Sequence, residues 1–123
     1  MNTHQIAHRL VELCRKGENM QAIKELYAND IISREMPGVP NEITKGKEAV
    51  TKKSEDWYAN VEEYHGGEIS DPLIAENYFS CKMSFDCTFK DQGRTQMEEL
   101  GVFKVHDGAI IEEQFYYEMP ATT

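Results

Sequence analysis

Cysteine and nucleophile motifs are scarce in this sequence of 123 residues. Its three cysteines, Cys14, Cys81 and Cys87, form no Cys-x-x-Cys pair and cannot all be paired within one chain. We therefore expect a reducing compartment, and cytoplasmic localisation. Neither a Gly-x-Ser-x-Gly elbow nor a glycine-rich nucleotide loop occurs. The sequence thus gives no sign of a serine nucleophile or of a nucleotide, and we expect no cofactor.

Long hydrophobic runs and excess positive charge are also missing. No apolar segment approaches membrane-spanning length, and the N-terminus lacks the apolar run of a signal peptide, so we expect no membrane partner. Lysine and arginine number 13 against 22 acidic residues, which gives a net charge of −9. Because phosphate binding needs a basic stripe, this charge argues against nucleic acid as a partner.

Three residues near the N-terminus have a spacing that could bind a metal ion. His4, His8 and Glu12 fall at i, i+4 and i+8 and could formally share a metal ion. They lie beside the apolar stripe of their predicted helix, near a terminus that frays. We therefore predict no metal site.

Helical periodicity dominates the first half of the chain, whose length supports one domain over residues 1–123. Apolar residues at helical spacing predict a first helix that Gly17 ends and a second one over 20–27. Residues 31–36 look extended. A third and longest helix is predicted from Lys47 to Glu63, and His65-Gly66-Gly67 closes it and begins an extended segment through Ile69.

The second half changes to a period of two. Residues 74–90 predict a long strand or a bulged pair, 91–94 a turn, and 97–105 and 109–117 two strands joined at Asp107-Gly108. Helices followed by antiparallel strands predict an α+β fold, with the helices packed on one face of a curved sheet.

Two glutamates interrupt apolar faces of these last strands. Glu99 shares a face with Met97 and Phe103, and Glu113 shares one with Ile111 and Phe115. A carboxylate among buried apolar neighbours is costly unless it is partnered or protonated. This is where we look for function.

A symmetric turn at 91–94 would pair Asp86 with Glu99 across the hairpin. One face would then carry Asp86, Thr88, Met97, Glu99 and Phe103, and the other Met83, Phe85, Leu100 and Val102. A one-residue slip would reverse these faces. The simplest arrangement is a lined cavity under the helices and a subunit contact on the opposite face, hence a homodimer.

Seven short segments occur in a fixed order along the chain: Glu25-Leu26-Tyr27-Ala28-Asn29-Asp30, Gly46-Lys47-Glu48-Ala49-Val50, His65-Gly66-Gly67, Asp86-x-Thr88, Met97-x-Glu99, Val105-His106-Asp107-Gly108-Ala109-Ile110 and Glu113-Gln114-Phe115. This ordered set resembles the nuclear transport factor 2-like superfamily, and within it the SnoaL-like domains. The resemblance implies a cone-shaped, bent antiparallel sheet packed on about three N-terminal helices, with an internal pocket. The superfamily holds ketosteroid isomerases, polyketide cyclases, scytalone dehydratase, limonene epoxide hydrolase and non-enzymatic binders, so fold alone assigns no reaction.

Comparison with ketosteroid isomerases carries over only in part. Their acidic base follows a Leu-Tyr-Ala-Asp-Asp segment, and Glu35 occupies the matching offset here, with Met36 inserted before the proline. Leu10 stands where their oxyanion-hole tyrosine is expected. Their protonated aspartate falls within a residue or two of Glu99. The resemblance therefore implies a pocket with an acid and a base but not a faithful steroid isomerase.

Several carboxyls crowded in one cavity would raise at least one pKa, so that one group stays protonated while another acts as base. The candidate catalytic residues are Glu35, Glu99, Glu113, His65 and Asp86, with Glu35 or Glu99 as the base. The candidate ligand-binding residues are Trp57, Lys53, Met97, Phe103 and Phe115. The alternatives are ion pairing of the carboxyls with Lys53, Lys82 or Arg94, a helix-capping role for His65, and plain core packing for Trp57.

These residues predict a protein that binds a small, largely apolar organic ligand. The reaction would be an isomerisation, cyclisation or dehydration without a cofactor. A non-catalytic carrier or sensor is the first alternative, and an interaction module that uses the outer sheet face is the second.

Overall fold

The structure is a computed structural model in which residues 1–118 are described. It contains the helices α1 (Thr3–Arg15), α2 (Asn19–Leu26) and α3 (Lys47–Asn60), and the strands β1 (Tyr27–Arg34), β2 (Ile43–Lys45), β3 (Val61–Ile69), β4 (Leu73–Ala75), β5 (Tyr78–Phe89), β6 (Gly93–His106) and β7 (Ala109–Tyr116). The expected domain of residues 1–123 includes residues 119–123, which lie outside the described part. No helix within residues 1–118 is both long and apolar enough to span a membrane.

The two N-terminal helices form where the apolar spacing predicts them. The Asn2 side chain caps α1 by accepting a hydrogen bond from the backbone N–H of Gln5, and the Gln5 side chain accepts one from the backbone N–H of Asn2. Gly17 follows the helix at a φ of 73°, a left-handed conformation that glycine adopts without steric cost. Ile6 and Leu10 are buried on the inner stripe.

The third helix is shorter than the sequence predicts. It ends at Asn60, and the following nine residues form β3 instead of a last helical turn. The reason is non-local: β3 pairs with β5, and the Lys90 backbone N–H donates to the Asn60 carbonyl oxygen. The predicted end of α3 at Glu63 is therefore wrong, because β3 begins at Val61, whereas the extended segment expected from His65-Gly66-Gly67 through Ile69 is present as the second part of β3.

The strands form one seven-stranded sheet in the order β2-β1-β7-β6-β5-β3, with β4 also paired to β5. All neighbours are antiparallel except β1 and β7, which run parallel. The α+β fold is confirmed, and the parallel pair makes the sheet mixed. The predicted hairpin at Asp107-Gly108 is also present, with φ values of 49° and 77° at its two turn residues.

The β5–β6 hairpin has a different register from the predicted one. Glu99 pairs with Met83, and Asp86 pairs with Gln96. The cause is Gly93, which adopts a φ of 77° and pairs with Phe89, so that only three residues form the loop.

This register changes which residues share a face. The predicted grouping of Asp86 with Glu99 is wrong, and so is the grouping of Met83 with Leu100. Odd-numbered residues of β5 and β6 form the inner face under the helices, and even-numbered residues form the outer face. On the inner face the Phe79 and Phe103 rings stack at a centroid distance of 4.7 Å in the core beneath α1 and α2.

Candidate functional site

A row of paired residues across three neighbouring strands brings two polar side chains next to the core on the inner face of the sheet. Ser33 of β1 pairs with Glu113 of β7, and Glu113 pairs with Phe103 of β6. One step outward along the inner face, Phe115 pairs with Gly101. The strand period of two explains why these side chains all point under the helices. They form the floor of the candidate site.

Glu113 lies at this floor and is 3% exposed. Burial raises its pKa, although hydrogen bonds from Tyr27 and Ser33 favour the charged form. The Tyr27 hydroxyl donates to Glu113 Oε2. Burial beside this carboxyl also raises the pKa of Tyr27 well above its ordinary value, so the phenol stays a donor. Each buried polar group at this position is thereby paired.

Lys53 reaches the same row from α3. Its Nζ donates to Ser33 Oγ at 2.9 Å and to Glu35 Oε1 at 3.2 Å. The Tyr117 hydroxyl donates to Glu35 Oε2 at 3.0 Å. Burial and the neighbouring Glu35 charge raise the pKa of Tyr117 to about 12. Both carboxyl oxygens of Glu35 thus accept a hydrogen bond, one from an ammonium and one from a phenol.

Glu99 stands apart from this network. It is half-buried, and its carboxyl receives no hydrogen bond from any of residues 1–118. Burial raises its pKa to about 7, and the negative charges of Glu35 and Glu113 act in the same direction, against a smaller opposite effect of Lys53. The inner face therefore holds one carboxyl whose pKa is raised towards neutral pH, and a second, Glu35, whose two oxygens are both hydrogen-bonded.

An aromatic cluster continues the inner face beyond Glu99. The Trp57 indole makes edge contacts with Phe85 and Phe89 at centroid distances of 5.4 and 5.5 Å. Met97 pairs with Phe85 in the sheet. Trp57 is 38% exposed, so it both packs against the sheet and offers ring surface to a ligand. Phe115 completes the apolar lining on the other side, with Lys53 Nζ 5.9 Å from its ring centroid.

Two predicted catalytic residues lie on the other side of the sheet. Asp86 is on the outer face, where it accepts hydrogen bonds from Arg94 at 3.1 and 2.8 Å and from Gln96 at 3.1 Å. These donors lower its pKa to about 2. The His65 Nε2 atom lies 2.7 Å from Thr88 Oγ1, also on the outer face. The structure therefore separates both residues from the inner carboxyls: Asp86 because the β5–β6 register differs from the predicted one, and His65 because it lies in β3, which pairs with β5.

The remaining predicted residues share the inner face, and three further residues join them. The predicted residues on this side of the sheet are Glu35, Glu99, Glu113, Lys53, Trp57, Met97, Phe103 and Phe115. The residues that join them are Tyr27, Ser33 and Tyr117. The alternation of Ile31, Ser33 and Glu35 is the signal that could have found Ser33. Tyr27 was assigned to the stripe of the second helix, whereas it begins β1.

Two open depressions mark the surface of residues 1–118. One of about 330 Å³ is lined by Gly66, Gly67, Glu68, Ser84, Phe85, Asp86, Gln96, Met97 and Glu98. The other, of about 630 Å³, is lined by Asn29, Lys47, Glu48, Thr51, Lys52 and Glu55. Neither is lined by Glu35, Glu99 or Glu113, so the internal pocket stays a prediction. Within the described residues, no three His, Cys, Asp or Glu side chains are placed to hold a metal ion.

Comparison with known proteins places this arrangement in a family. The SnoaL-like domain family matches residues 1–117. The chain belongs to the SnoaL-like family. The expected membership is thus confirmed, although no curated protein matches this SnoaL-like chain.

Solved structures agree with the assignment. A Mesorhizobium loti protein, provisionally described as a SnoaL-like polyketide cyclase, is 38% identical, with 95% of this chain and 100% of that chain covered and a TM-score of 0.91. A protein from Catenulispora acidiphila with a ketosteroid isomerase-like fold, in complex with trimethylamine, is 16% identical over 93% of this chain and 85% of that chain, with a TM-score of 0.72. A nuclear transport factor 2-like protein from Burkholderia thailandensis is 16% identical over 96% and 92%, with a TM-score of 0.78. The SnoaL-like chain therefore has the nuclear transport factor 2-like fold.

Proposed function

We propose that this SnoaL-like protein binds a small, largely apolar organic molecule at the inner carboxyls and isomerises, cyclises or dehydrates it without a cofactor. The proposal is carried by one contrast on the inner face: Glu99 is partly buried, with its pKa raised to about 7 and no hydrogen bond from residues 1–118, whereas Glu35 accepts from Lys53 and Tyr117. A separated acid and base on one face is the arrangement that proton transfer beside a carbonyl requires.

The two carboxyls take different roles in this proposal. Protonated Glu99 donates a hydrogen bond to the carbonyl or hydroxyl oxygen of the ligand, where negative charge develops during the reaction. The Glu35 carboxylate, whose remaining lone pairs are free to accept, removes a proton from the adjacent carbon. Lys53 and Tyr117 hold Glu35 in place, while Trp57 and the neighbouring rings take up the apolar part of the ligand.

Deuterium exchange tests this function directly. A set of small aromatic and alicyclic ketones is screened for binding by ligand-observed NMR, and bound ketones are then followed in D₂O for exchange of the protons beside the carbonyl. We expect accelerated exchange in the wild type and a loss of about 10²–10⁴-fold in Glu35→Gln and Glu99→Gln, the usual contribution of a general acid or base.

Asp86→Asn is the matched control, because Asp86 is a carboxyl of the same sheet that faces outward. It should exchange at the wild-type rate. Ketones that bind without accelerated exchange would contradict catalysis and support the carrier alternative. Equal losses in Asp86→Asn would contradict the assignment of the site to the inner face.

We also propose that the protein is a homodimer formed through the outer sheet face. Leu100 and Tyr116 pair across β6 and β7 and are 51% and 49% exposed, and Val102 continues the apolar strip. Exposed apolar patches on a sheet commonly mark interaction surfaces, and a two-fold axis lets one patch cover its own copy.

Light scattering of two aspartate variants tests the dimer. The wild type should have twice the mass of one chain, and Leu100→Asp should have the mass of one chain, because it buries a charge in the contact. Tyr64→Asp is the control, since Tyr64 is 63% exposed and pairs with Cys87 of the inner face, on the opposite side of the sheet from the strip. A monomeric wild type, or an equal effect of both variants, would contradict this interface.

The cysteines support a cytoplasmic location in this proposal. All three are free thiols in residues 1–118, and Cys81 and Cys87 are buried on the inner face. Burial raises the pKa of Cys81 to about 11, which keeps the thiol protonated and unreactive. Such cysteines suit a compartment that keeps thiols reduced.

A further inference from the structure

We propose that Ser33 is a positioning residue whose hydroxyl anchors the Lys53 ammonium at the floor of the site, between Glu113 and Glu35, and so keeps this positive charge away from Glu99. The inference rests on the proposed roles of Glu35 and Glu99, since it explains how Lys53 hydrogen-bonds Glu35 and has only a smaller effect on Glu99. It assigns a task to a residue that touches no ligand in the proposed reaction.

The position of Ser33 requires an explanation. Ser33 is 0% exposed. Among residues 1–118, Ser33 and Glu113 are the only polar or charged residues that are buried. A buried hydroxyl is costly unless it is hydrogen-bonded. Ser33 accepts a hydrogen bond from Lys53 Nζ at 2.9 Å. Its hydroxyl also hydrogen-bonds Glu113, its partner in the parallel β1–β7 pairing. It therefore links the buried carboxyl to the lysine.

The sheet register separates this anchor from Glu99. Ser33 and Glu113 lie in the row of Phe103, whereas Glu99 lies four residues further along β6, toward the open end of the inner face. Glu35 lies two residues outward of Ser33 along β1, so its row falls between the two. A Lys53 ammonium that loses Ser33 keeps Glu35 as partner and moves outward, nearer to Glu99.

Every charged or titratable group near the anchor enters this balance. The groups are Lys53 from α3, Tyr27 from β1 and Glu35 just after it, Glu99 from β6, Glu113 from β7 with Tyr117 just after it, and Cys14 from α1. Only Lys53 is positively charged. Moving it by one row therefore shifts Glu99 and Glu113 in opposite directions, because each carboxyl gains or loses the same cation.

Carboxyl-carbon NMR titration of Ser33→Ala tests the inference, because this substitution changes no formal charge. We expect the Glu99 midpoint to fall by about half a pH unit and the Glu113 midpoint to rise, as Coulomb attraction at these separations implies. In a Lys53→Met background, Ser33→Ala should leave the Glu99 midpoint unchanged. Loss of the Ser33 hydrogen bond raises the Glu113 midpoint in either background, so the dependence of the Glu99 shift on Lys53 is the result that distinguishes a displaced cation from a loosened structure.

The outcomes separate this inference from the proposed function. An unchanged or raised Glu99 midpoint in Ser33→Ala, with a wild-type midpoint near 7, would overturn the role of Ser33 and leave the acid–base pair intact. The same holds if the shift persists in Lys53→Met. A wild-type Glu99 midpoint near 4.5 would instead overturn the acid–base pair itself.

Discussion

Glu99→Gln is expected to be more stable than the wild type at pH 8, by up to about 3 kcal/mol, and equally stable near pH 4. Burial raises the Glu99 pKa from 4.5 to about 7 in the folded protein. The folded state therefore holds this proton more tightly than the unfolded state. The resulting stability is present in full below pH 4.5 and is lost as pH rises through about 7. Glutamine imitates the neutral acid at every pH and avoids that loss.

Urea unfolding of both proteins at pH 4, 6 and 8 measures the difference. Glu98→Gln is the matched control, because Glu98 is the next residue of β6 but is exposed on the outer face, 3.5 Å from Lys82. It should gain no stability as pH rises. If Glu99→Gln and Glu98→Gln behave alike between pH 4 and 8, Glu99 does not carry a destabilising charge. If Glu99→Gln is more stable but no longer accelerates deuterium exchange of bound ketones, Glu99 is a functional residue that is kept at a cost to stability.

Phe103→Ala is expected to lower the free energy of unfolding by about 3–5 kcal/mol, the usual cost of removing a buried phenylalanine ring. Phe103 is 1% exposed and stacks on Phe79, and its ring also lies 6.2 Å from that of Phe115. The ring also packs closely against Gly101, because a Cβ at position 101 would lie only 3.0 Å from it. The ring thus joins the core to the floor of the site, and its loss leaves a cavity between them.

Chemical denaturation measures this cost. Tyr64→Ala provides the control, since Tyr64 is an aromatic strand residue that is 63% exposed, and its removal should change stability by less than about 0.5 kcal/mol. A loss below about 1.5 kcal/mol in Phe103→Ala would show that the ring is not packed as described. The predicted ligand-binding role of Phe103 would then need another basis than its place in the floor.

Local pattern was enough to predict the helices and the inward direction of Glu99 and Glu113. The helical stripe of α1 and the period of two in β6 and β7 are properties of neighbouring residues, so they can be recognised without the fold. The same alternation predicted that two carboxyls interrupt an apolar face. Their partners could not be predicted in this way, because Lys53 and Tyr27 come from distant parts of the chain.

Pairing between strands was the part that sequence could not supply. The left-handed conformation of Gly93 moved the β5–β6 register and sent Asp86 to the outer face. The pairing of β3 with β5 ended α3 early and placed His65 in a strand. The parallel contact of β1 with β7 brought Ser33 to Glu113, and no local pattern announces a parallel neighbour. These three non-local events explain the wrong hairpin register, the wrong end of α3 and the missed Ser33.

The titration of Glu99 in the ligand-free wild type tests the central claim most directly. Carboxyl-carbon NMR of selectively labelled protein, with the signal assigned by its loss in Glu99→Gln, gives the midpoint without any knowledge of the ligand. The structure predicts a midpoint near 7, because the carboxyl is half-buried beside two other acids and accepts no hydrogen bond from residues 1–118. A midpoint near 4.5, the ordinary value for a glutamate, would mean that the inner face holds no neutral acid at working pH and would contradict the account.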